Sequence, residues 1–326
     1  MMLEELIRIP SPSREEGAAA DYLEAALSHL GVRRKGNNLW MSRGKGPAIL
    51  MDAHIDTVRP VEGWTRDPFE PVLEGDRLYG LGANDDGGSL QAMIEAFSRI
   101  RPRRSTLILS LSAEEEVSGS GGLESMLPLW ESLYGPIRCG IIGEPTGMRM
   151  ATQEKGLLVV DCLAHGKAGH AARNEGVNAI YEALPDILWL KDFGAQVTQI
   201  QAGTQHNVLP DGCRFVADIR TTGDNIRTLE ALRKGLKCSF QPRSTRLNGS
   251  RLPSGHPLEA AAAALGIASF SSSTLSNQAL CPFPTVKIGP GDSARSHTAD
   301  EYICLSEIRE AVDLYCHLYE NLEQRL

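Results

Sequence analysis

Acidic and histidine side chains follow several apolar segments of the chain, at points where a strand would end. The sets are His54 with Asp56, Asp85 with Asp86, Glu114 to Glu116, Glu144, and the lone His297 near the C-terminus. Imidazole nitrogen and carboxylate oxygen are ligands for zinc, with manganese or cobalt as workable substitutes. Each set by itself is also typical of a solvated turn or a surface charge run. Their repetition at successive strand ends favours one shared metal site.

Such a ligand set suits a site with two metal ions. Two ions about 3.5–4 Å apart, bridged by a carboxylate and a water, lower the pKa of that water toward neutrality. A neighbouring glutamate could then accept the water's proton, although the spacing does not choose among Glu114, Glu115 and Glu116. Residues i and i+2 of a strand share a face, so Asp56 could hold the second ring nitrogen of His54.

The elements that must position these side chains follow an alternating pattern. Strands are predicted at residues 48–51, 106–112 and 137–142, and a helix is predicted at residues 89–100. Ser13 followed by Glu16 indicates a capping box, which predicts a helix over residues 14–30. The alternation indicates an α/β fold with a mainly parallel, mixed sheet flanked by helices. Ligands bind at the carboxyl ends of the strands in such sheets.

The pattern changes near residue 152. Strands and helices then follow in β-α-β-β-α order, with a last strand predicted near Thr245. This order is the outline of a small, ferredoxin-like open-faced sheet backed by two helices. We therefore expect a catalytic domain built from residues 1–151 and 250–326, and an inserted α+β domain at residues 152–249.

Composition narrows the class of protein. The 326 residues are 42% hydrophobic and 23% charged, with a formal net charge of −8, so we expect a globular protein that does not bind nucleic acid. No apolar run approaches the roughly 20 residues of a membrane helix, and the acidic start MMLEELIRIP is unlike a signal peptide. We expect a cytoplasmic protein. The seven cysteines are scattered and never form C-x-x-C, which favours free thiols over disulfides or zinc ligands.

Several longer segments resemble the zinc metallopeptidase family that includes aminoacylase, acetylornithine deacetylase and succinyl-diaminopimelate desuccinylase. They span nearly the whole chain in the family's order, and they are most similar to the acetylornithine deacetylase-like branch. The segments are Asp52-Ala53-His54-Ile55-Asp56-Thr57-Val58, Tyr79-Gly80-Leu81-Gly82-Ala83-Asn84-Asp85, Ala113-Glu114-Glu115-Glu116-Val117, Ile142-Gly143-Glu144-Pro145-Thr146, Gly166-Lys167-Ala168-Gly169-His170-Ala171, Asn207-Val208-Leu209-Pro210-Asp211, and Gly289-Pro290-Gly291-Asp292 through Ser296-His297-Thr298.

The resemblance implies a role for each of ten residues. His54 and Glu144 would bind one zinc ion, Glu116 and His297 the other, and Asp85 would bridge them. Asp56 would orient His54, Glu115 would be the general base, and the peptide bond between Asp85 and Asp86 would be cis. In the inserted lid and dimerisation domain, His170 would reach the oxyanion in a partner subunit's site, so we expect a homodimer. Asn207 and Arg220 would hold the α-carboxylate of the substrate.

The implied activity is removal of an N-acetyl or N-succinyl group from an amino acid such as ornithine or citrulline, in arginine biosynthesis. Alternatives within the family are a dipeptidase, an aminopeptidase or a succinyl-diaminopimelate desuccinylase. A catalytically silent binding protein on the same fold is the alternative of another class. A succinyl tail carries a second carboxylate, for which Arg173, Arg295 and the serines at 271–273 are candidate partners; the two arginines are also typical surface charges.

One departure from the family pattern concerns the loop of the bridging ligand. Asp86-Gly87 stands where most members carry Met-Lys. The loop therefore lacks a cation beside an acidic site.

Overall fold

The structure is a computed structural model, which describes residues 1–173 and 175–326. It divides into two compact units. The first unit consists of residues 1–153, 251–272 and 276–326, and the second of residues 154–250 and 273–275. The second unit is thus an insertion in the chain of the first.

The N-terminal part of the first unit alternates strands with helices. Its elements are α1 (Met2–Ile7), α2 (Gly17–Ala26), β1 (Arg33–Lys35), β2 (Asn38–Gly44), β3 (Ala48–His54), β4 (Val72–Glu74), β5 (Arg77–Tyr79), α3 (Gly88–Arg99), β6 (Thr106–Ser112), α4 (Leu123–Tyr134), β7 (Ile137–Ile142) and β8 (Met150–Glu154). Every residue of β3 and β6 is buried. Both faces of a parallel sheet are covered, so the polar residues of these strands, among them Asp52 and Ser110, are buried together with the apolar ones.

The second unit follows in the chain. Its elements are β9 (Gly156–His165), β10 (Gly169–His170), α5 (Ala179–Phe193), β11 (Gln196–Ala202), β12 (Val208–Leu209), β13 (Gly212–Thr221), α6 (Asn225–Gly235) and β14 (Ser239–Pro242). The chain then passes back to the first unit. The remaining elements are β15 (Ser250–Arg251), α7 (Pro257–Ala264), β16 (Ser269–Ser272), β17 (Thr285–Lys287), β18 (Tyr302–Cys304) and α8 (Leu305–Glu323).

The main sheet of the first unit is mixed, as the sequence predicts. Its central strands run in the order β1-β2-β6-β3-β7-β17-β8. β6, β3, β7 and β17 are parallel, whereas β2 and β8 pair antiparallel to the strands beside them. The carboxyl ends of β3, β6 and β7 therefore meet at one edge of the sheet. Each is followed there by one of the predicted ligand sets.

The second unit contains a four-stranded antiparallel sheet in the order β11-β13-β9-β14. Alternate residues of β9 and β13 are buried. Their buried side chains pack with Ala183 and Leu190 of α5 and with Leu229 and Leu232 of α6. Because both helices lie on one face, the other face is open, which confirms the predicted open-faced sheet.

The predicted capping box is wrong. The helix begins at Gly17, and its N-cap residue, Glu16, makes no side-chain cap bond. Ser13 instead donates its hydroxyl proton to Asp56, with 2.7 Å between the oxygens. Glu16 accepts a hydrogen bond from the backbone N–H of Glu114 at 3.1 Å. Long-range contacts with the loops at the metal-ligand edge thus outweigh the local capping preference.

Other elements also differ from the sequence-based expectation. The predicted loop at residues 60–80 contains the short hairpin of β4 and β5, and α4 was not predicted. The strand expected near Thr245 lies earlier, at β14. β4 and β5 are three residues each, which is too short for a pattern of alternation to be recognised.

Candidate metal centre

His54 lies at the carboxyl end of β3 and is 3% exposed. Its Nδ1 donates to the backbone oxygen of Asp56 at 2.8 Å. A carbonyl oxygen can only accept, so Nδ1 carries a proton and Nε2 is the nitrogen available to a metal ion. Nε2 faces Asp85, 3.2 Å from its Oδ1. The strand end therefore presents one defined imidazole nitrogen.

Asp56 fixes the turn that carries the glutamates. Its Oδ1 accepts from the backbone N–H of Glu115 at 3.0 Å, and its Oδ2 accepts from that of Glu116 at 3.1 Å. Its Oδ1 also lies 3.5 Å from Nδ1 of His54. The preceding residue, Glu114, has a φ of 59°, so the backbone has left the strand before Glu115. One buried carboxylate thus holds two neighbouring glutamates in position.

Asp85 lies between the two predicted histidine ligands. Its Oδ1 faces Nε2 of His54 at 3.2 Å, and its Oδ2 faces Nε2 of His297 at 3.7 Å. Burial opposes ionisation of Asp85, but the hydrogen bond and charge of His54 hold its pKa below the usual value. The peptide bond that follows it, to Asp86, is cis as expected. Each carboxylate oxygen is therefore directed to a different imidazole, as a bridging ligand requires.

His297 is carried by a loop and is half exposed, with a φ of 58°. Its Nε2 lies 3.0 Å from Oε1 of Glu116. The hydrogen bond to this carboxylate raises the pKa of His297 to about 9. Glu116 and His297 are thus in direct contact, although they lie 181 residues apart in the chain.

Glu144 and Glu115 complete the acidic cluster. Ligand atoms of His54, Glu115 and Glu144 lie within 4.8 Å of one another, as do those of His54, Asp85 and Glu116. Burial raises the pKa of both Glu115 and Glu144 well above the usual range, and a nearby cation opposes each rise, His54 for Glu115 and Lys287 for Glu144. Burial is the main cause of both rises, and the neighbouring carboxylates add to them.

These side chains fit a metal site. Four carboxylates and two imidazoles converge, and hydrogen bonds to the carboxylates raise the pKa of both His54 and His297 although burial opposes the rise. A divalent cation would neutralise the same carboxylates, and mixed nitrogen and oxygen ligands suit zinc, cobalt or manganese. Both groups of ligands include His54, while Asp85 and His297 extend the cluster to a second position.

In the second unit the structure brings His170 and Asn207 together. β10 and β12 form a two-stranded ribbon in which His170 pairs with Val208, and the N–H of Ala171 donates to the backbone oxygen of Asn207 at 3.0 Å. Nδ1 of His170 accepts from the N–H of Ala172 at 3.2 Å. Nδ1 is therefore unprotonated, and Nε2 of this exposed ring is the proton donor.

Arg220 lies near the end of β13 and already binds a carboxylate. Its Nε and Nη2 donate to Oδ1 and Oδ2 of Asp218 at 2.9 and 3.2 Å. This two-pronged geometry is the one a guanidinium uses for any carboxylate ligand. The Arg220 side chain is 42% exposed, so a ligand could compete for it.

Most of the chain matches a single protein-family model. The model of Peptidase family M20/M25/M40 matches residues 50–321 of the chain. The chain belongs to this family. It is a metal-dependent hydrolase, and the resemblance inferred from the motifs is confirmed.

Curated relatives of this M20 protein include enzymes of three names. It is 28% identical to a putative [LysW]-lysine/[LysW]-ornithine hydrolase of Pyrobaculum aerophilum, over 95% of this chain and 93% of the relative. It is 26% identical to succinyl-diaminopimelate desuccinylase of Thioalkalivibrio sulfidiphilus, over 100% and 98%. It is 28% identical to acetylornithine deacetylase of Pectobacterium carotovorum subsp. carotovorum, over 85% and 82%.

Solved structures share the fold. Aminopeptidase PepT from Bacillus cereus superposes with a TM-score of 0.80 at 19% identity, covering 98% of this chain and 96% of that one. The YXEP protein of Bacillus subtilis, described as a dinuclear metal binding peptidase from the M20 family, gives 0.75 at 17% identity, covering 100% and 97%. Among the residues described, the M20 protein has no helix both long and apolar enough to cross a membrane.

The structure explains why this M20 chain departs from the family at Asp86-Gly87. A Cβ atom at Gly87 would lie 2.4 Å from the backbone oxygen of Gly82 and 2.4 Å from Cδ1 of Leu3. No side chain, and no lysine, has room there beside α1. Asp86 is buried, and burial raises its pKa to about 8.

Glu301 is a structural residue that sequence reasoning missed. Its Oε1 accepts from the N–H groups of Asn84 and Asp85 at 2.8 and 3.0 Å, and its Oε2 accepts from that of Gly82 at 3.2 Å. It is 2% exposed. Glu301 therefore holds the loop that carries the bridging ligand. Its place four residues after His297 is the only sequence signal that could have indicated it.

Arg295, one candidate partner for a succinyl tail, is already bound to another carboxylate. Arg295 donates to both carboxylate oxygens of Glu307 at 2.7 and 3.1 Å. Its guanidinium also lies over the ring of Tyr302, 4.6 Å from the centroid. Arg295 therefore positions the loop of His297 and is already satisfied. Arg173 is exposed in a short 3₁₀ helix of the second unit.

Proposed function

We propose that this protein is a cytoplasmic dizinc N-acyl-amino-acid deacylase, which removes an acetyl or succinyl group from an amino acid such as ornithine or citrulline. The first unit is its catalytic domain and the second its lid. The observation that carries the proposal is the placement of Asp85, whose two oxygens face His54 and His297 at 3.2 and 3.7 Å. A binding protein without catalysis would not need the base Glu115, which this chain retains.

The ligand assignment implied by the family resemblance is part of this proposal. His54 and Glu144 would hold one zinc ion, Glu116 and His297 the other, and Asp85 would be shared. His54 and Glu144 lie in one group of ligand atoms, whereas Glu116 and His297 are in direct contact at 3.0 Å. Zinc ions bound there would supply Lewis acidity toward the substrate carbonyl and would acidify a water nucleophile.

Glu115 is the general base in this proposal. Burial raises its pKa well above the usual range, so it is a stronger proton acceptor than an exposed glutamate. The backbone of Glu115 is held by Asp56 at 3.0 Å, and its carboxylate lies with those of the ligands. Glu115 accepts the proton of the water nucleophile and then donates it to the departing amine.

His170, Asn207 and Arg220 bind the substrate in this proposal. The proton on Nε2 of His170 stabilises the oxyanion that develops on the substrate carbonyl. Arg220 binds the α-carboxylate in the two-pronged geometry it now shows with Asp218. Asn207 directly precedes β12, the strand that pairs with His170, and supplies an amide to the same carboxylate.

We propose a homodimer formed through the second unit. Three residues on one face of α5, Tyr181, Leu184 and Leu188, are 68%, 45% and 58% exposed. β11 lies at the edge of its sheet, and its Ile200 is 60% exposed. Exposed apolar rows beside an unpaired strand edge are typical of a surface that another subunit covers.

The cytoplasmic part of the proposal rests on the cysteines. All seven are free thiols in the part of the chain that the structure describes. Free thiols are the usual state in a reducing compartment. Ornithine occurs in the names of two relatives, which supports an ornithine-like substrate, and a role in arginine biosynthesis is part of the same proposal.

A substrate panel tests the activity. The zinc-loaded enzyme would be assayed with N-acetylornithine, N-succinylornithine, N-acetylcitrulline, N-succinyl-diaminopimelate and a set of dipeptides. A preference for one of the ornithine or citrulline compounds is expected and would also identify the acyl group. Hydrolysis of dipeptides alone would replace the proposal with a peptidase. No hydrolysis by a fully zinc-loaded protein would favour a silent binding protein.

A further inference from the structure

Four arginines occur within six residues, from the last residue of α3 through the loop that joins it to β6. They are Arg99, Arg101, Arg103 and Arg104, and all four are exposed. Together with residues of α8 they line an open cavity of about 660 Å³. The chain as a whole has a formal net charge of −8. This local concentration of positive charge is therefore unusual, and it cannot be recognised from the net charge.

The backbone of this arginine loop is anchored by a buried carboxylate. Oε1 of Glu323 accepts from the N–H groups of Arg103, Arg104 and Ser105 at 2.9, 2.9 and 3.1 Å. Ser105 also donates its hydroxyl proton to Glu323 and lies 2.6 Å from the hydroxyl oxygen of Tyr319. The loop is thus held in one conformation, which lowers the entropic cost of binding a ligand to it.

The guanidinium groups of the loop are poorly neutralised. Arg99 pairs with Asp313 at 2.9 Å, whereas Arg101 donates only to the backbone oxygens of Ser98 and Ile100. The side chains of Arg103 and Arg104 have no hydrogen bond or ion pair with any residue that the structure describes. Glu323, which also lines the cavity, uses its Oε1 to bind the backbone. Among the residues described, the guanidinium groups of Arg103 and Arg104 are therefore free to bind an anion, and Arg101 has no carboxylate partner.

We propose that this cavity binds a small polyphosphate anion through its phosphate oxygens. A guanidinium group offers paired donors that match phosphate geometry, and several groups on a fixed loop favour a ligand with several negative charges. The aromatic residue of the cavity, Tyr319, is 1% exposed, so it offers no face on which a base could stack. Inorganic polyphosphate and the phosphates of a nucleotide share the recognised chemistry.

The cavity is separate from the metal centre. β6 begins beside the arginine loop at Thr106 and ends at Ser112, next to the glutamate turn. Seven residues of strand span about 20 Å. An anion in the cavity therefore touches neither the metal ligands nor a substrate bound to them.

Calorimetric titration of the zinc-loaded protein with tripolyphosphate tests the proposal. The double variant Arg103→Gln/Arg104→Gln should bind about tenfold more weakly or worse, because each arginine supplies charged hydrogen bonds. The control Arg227→Gln/Arg233→Gln removes the same charge from exposed positions of α6 and should bind like the wild type. Equal weakening in both variants, or binding that survives the cavity substitutions, would overturn the proposal.

Three further arms sharpen the result. Arg103→Lys/Arg104→Lys keeps the charge, and an affinity between those of the wild type and the glutamine variant is expected. ATP should bind about as tightly as tripolyphosphate, and a marked preference for ATP would contradict recognition through phosphate alone. Tighter binding of a polyglutamate peptide than of tripolyphosphate would replace the small anion with an acidic protein partner. Unchanged zinc content and melting temperature would show that each variant is folded.

Discussion

Glu115 and Glu116 are neighbours with different surroundings. Glu116 contacts His297 at 3.0 Å, whereas Glu115 lies beside His54 and Glu144 and has a strongly raised pKa. These different contacts support the proposed roles of Glu116 as a ligand and Glu115 as the base, between which spacing in the sequence could not choose. Arg220, the proposed binder of the substrate carboxylate, already donates to the carboxylate of Asp218. A substrate must therefore compete with Asp218.

The substitution Glu115→Gln should abolish proton transfer while leaving the ligand set intact. We expect turnover to fall by about 10²–10⁴-fold, the usual contribution of a general base. Zinc content, measured by metal analysis, should stay near two ions per chain, as proposed for the wild type. Glu114→Gln is the matched control, because Glu114 lies outside both groups of ligand atoms. Wild-type turnover in Glu115→Gln would refute the assigned role.

The substitution Asp218→Asn should make Arg220 more available to a substrate carboxylate. We expect KM to fall by a few-fold at unchanged kcat, since an exposed ion pair contributes only about 0–1 kcal/mol. The fall should be absent with a substrate whose α-carboxylate is replaced by a carboxamide. Asp161→Asn is the control, because Asp161 pairs with Arg243 in the same two-pronged way at 2.9 and 2.8 Å. An unchanged KM in Asp218→Asn would argue against carboxylate binding by Arg220.

At the scale of elements, the loops are positioned by buried carboxylates as well as by the strands. Asp56 holds the glutamate turn, Glu301 holds the loop of Asp85, and Glu323 holds the arginine loop. Each accepts hydrogen bonds from several backbone N–H groups, which would otherwise lack partners at a buried site. Removing one of these carboxylates should therefore destabilise a whole loop.

Glu323→Gln tests this at a position remote from the metal centre. Burial opposes ionisation of Glu323, but hydrogen bonds from Ser105 and three backbone N–H groups hold its pKa below the usual value. The carboxylate therefore stabilises the fold above its unfolded pKa of about 4.3, and this contribution is lost as pH falls through the lower folded pKa.

We expect Glu323→Gln to lower the free energy of unfolding at neutral pH by about 1–3 kcal/mol. The difference from the wild type should shrink as the pH falls below about 4. Urea unfolding at several pH values, at matched metal content, measures both effects. Glu320→Gln on the same helix should have little effect. A difference that does not change with pH would mean that the charge of Glu323 is not what holds the loop.

At the scale of the whole molecule, the second unit exposes several large apolar side chains to solvent. The exposed row of α5 and the free edge of β11 lie in the same unit. A second copy of the chain is the occupant we propose. If His170 acts in the partner's site, loss of the dimer should also reduce activity.

The substitution Leu188→Glu should therefore yield a monomer. A buried charge at a subunit interface is costly, and dissociation avoids that cost. Light scattering coupled to size-exclusion chromatography would measure the mass, which is 35.4 kDa for one chain. Leu133→Glu is the control, since Leu133 is a similarly exposed leucine of α4 at 48%. A wild-type protein that is already monomeric would refute the proposed dimer.

The sequence by itself determined the fold class, the main strands and the family. β6 and β7 have the bounds predicted for them, because each is a mostly apolar segment that lies between charged or turn-forming residues. The order of ligand sets after these strands also indicated where a metal site would lie. Motifs of this kind are local, so they can be recognised without the tertiary structure.

Only the tertiary structure decided how distant residues meet. The contact of Glu116 with His297, the bond of Ser13 to Asp56, and the anchoring of the Asp85 loop by Glu301 join residues 181, 43 and 216 positions apart. The failed capping box has the same origin, since Ser13 and Glu16 bind residues far along the chain. Hydrogen bonds across such separations depend on how loops pack, and local propensity carries no information about that packing.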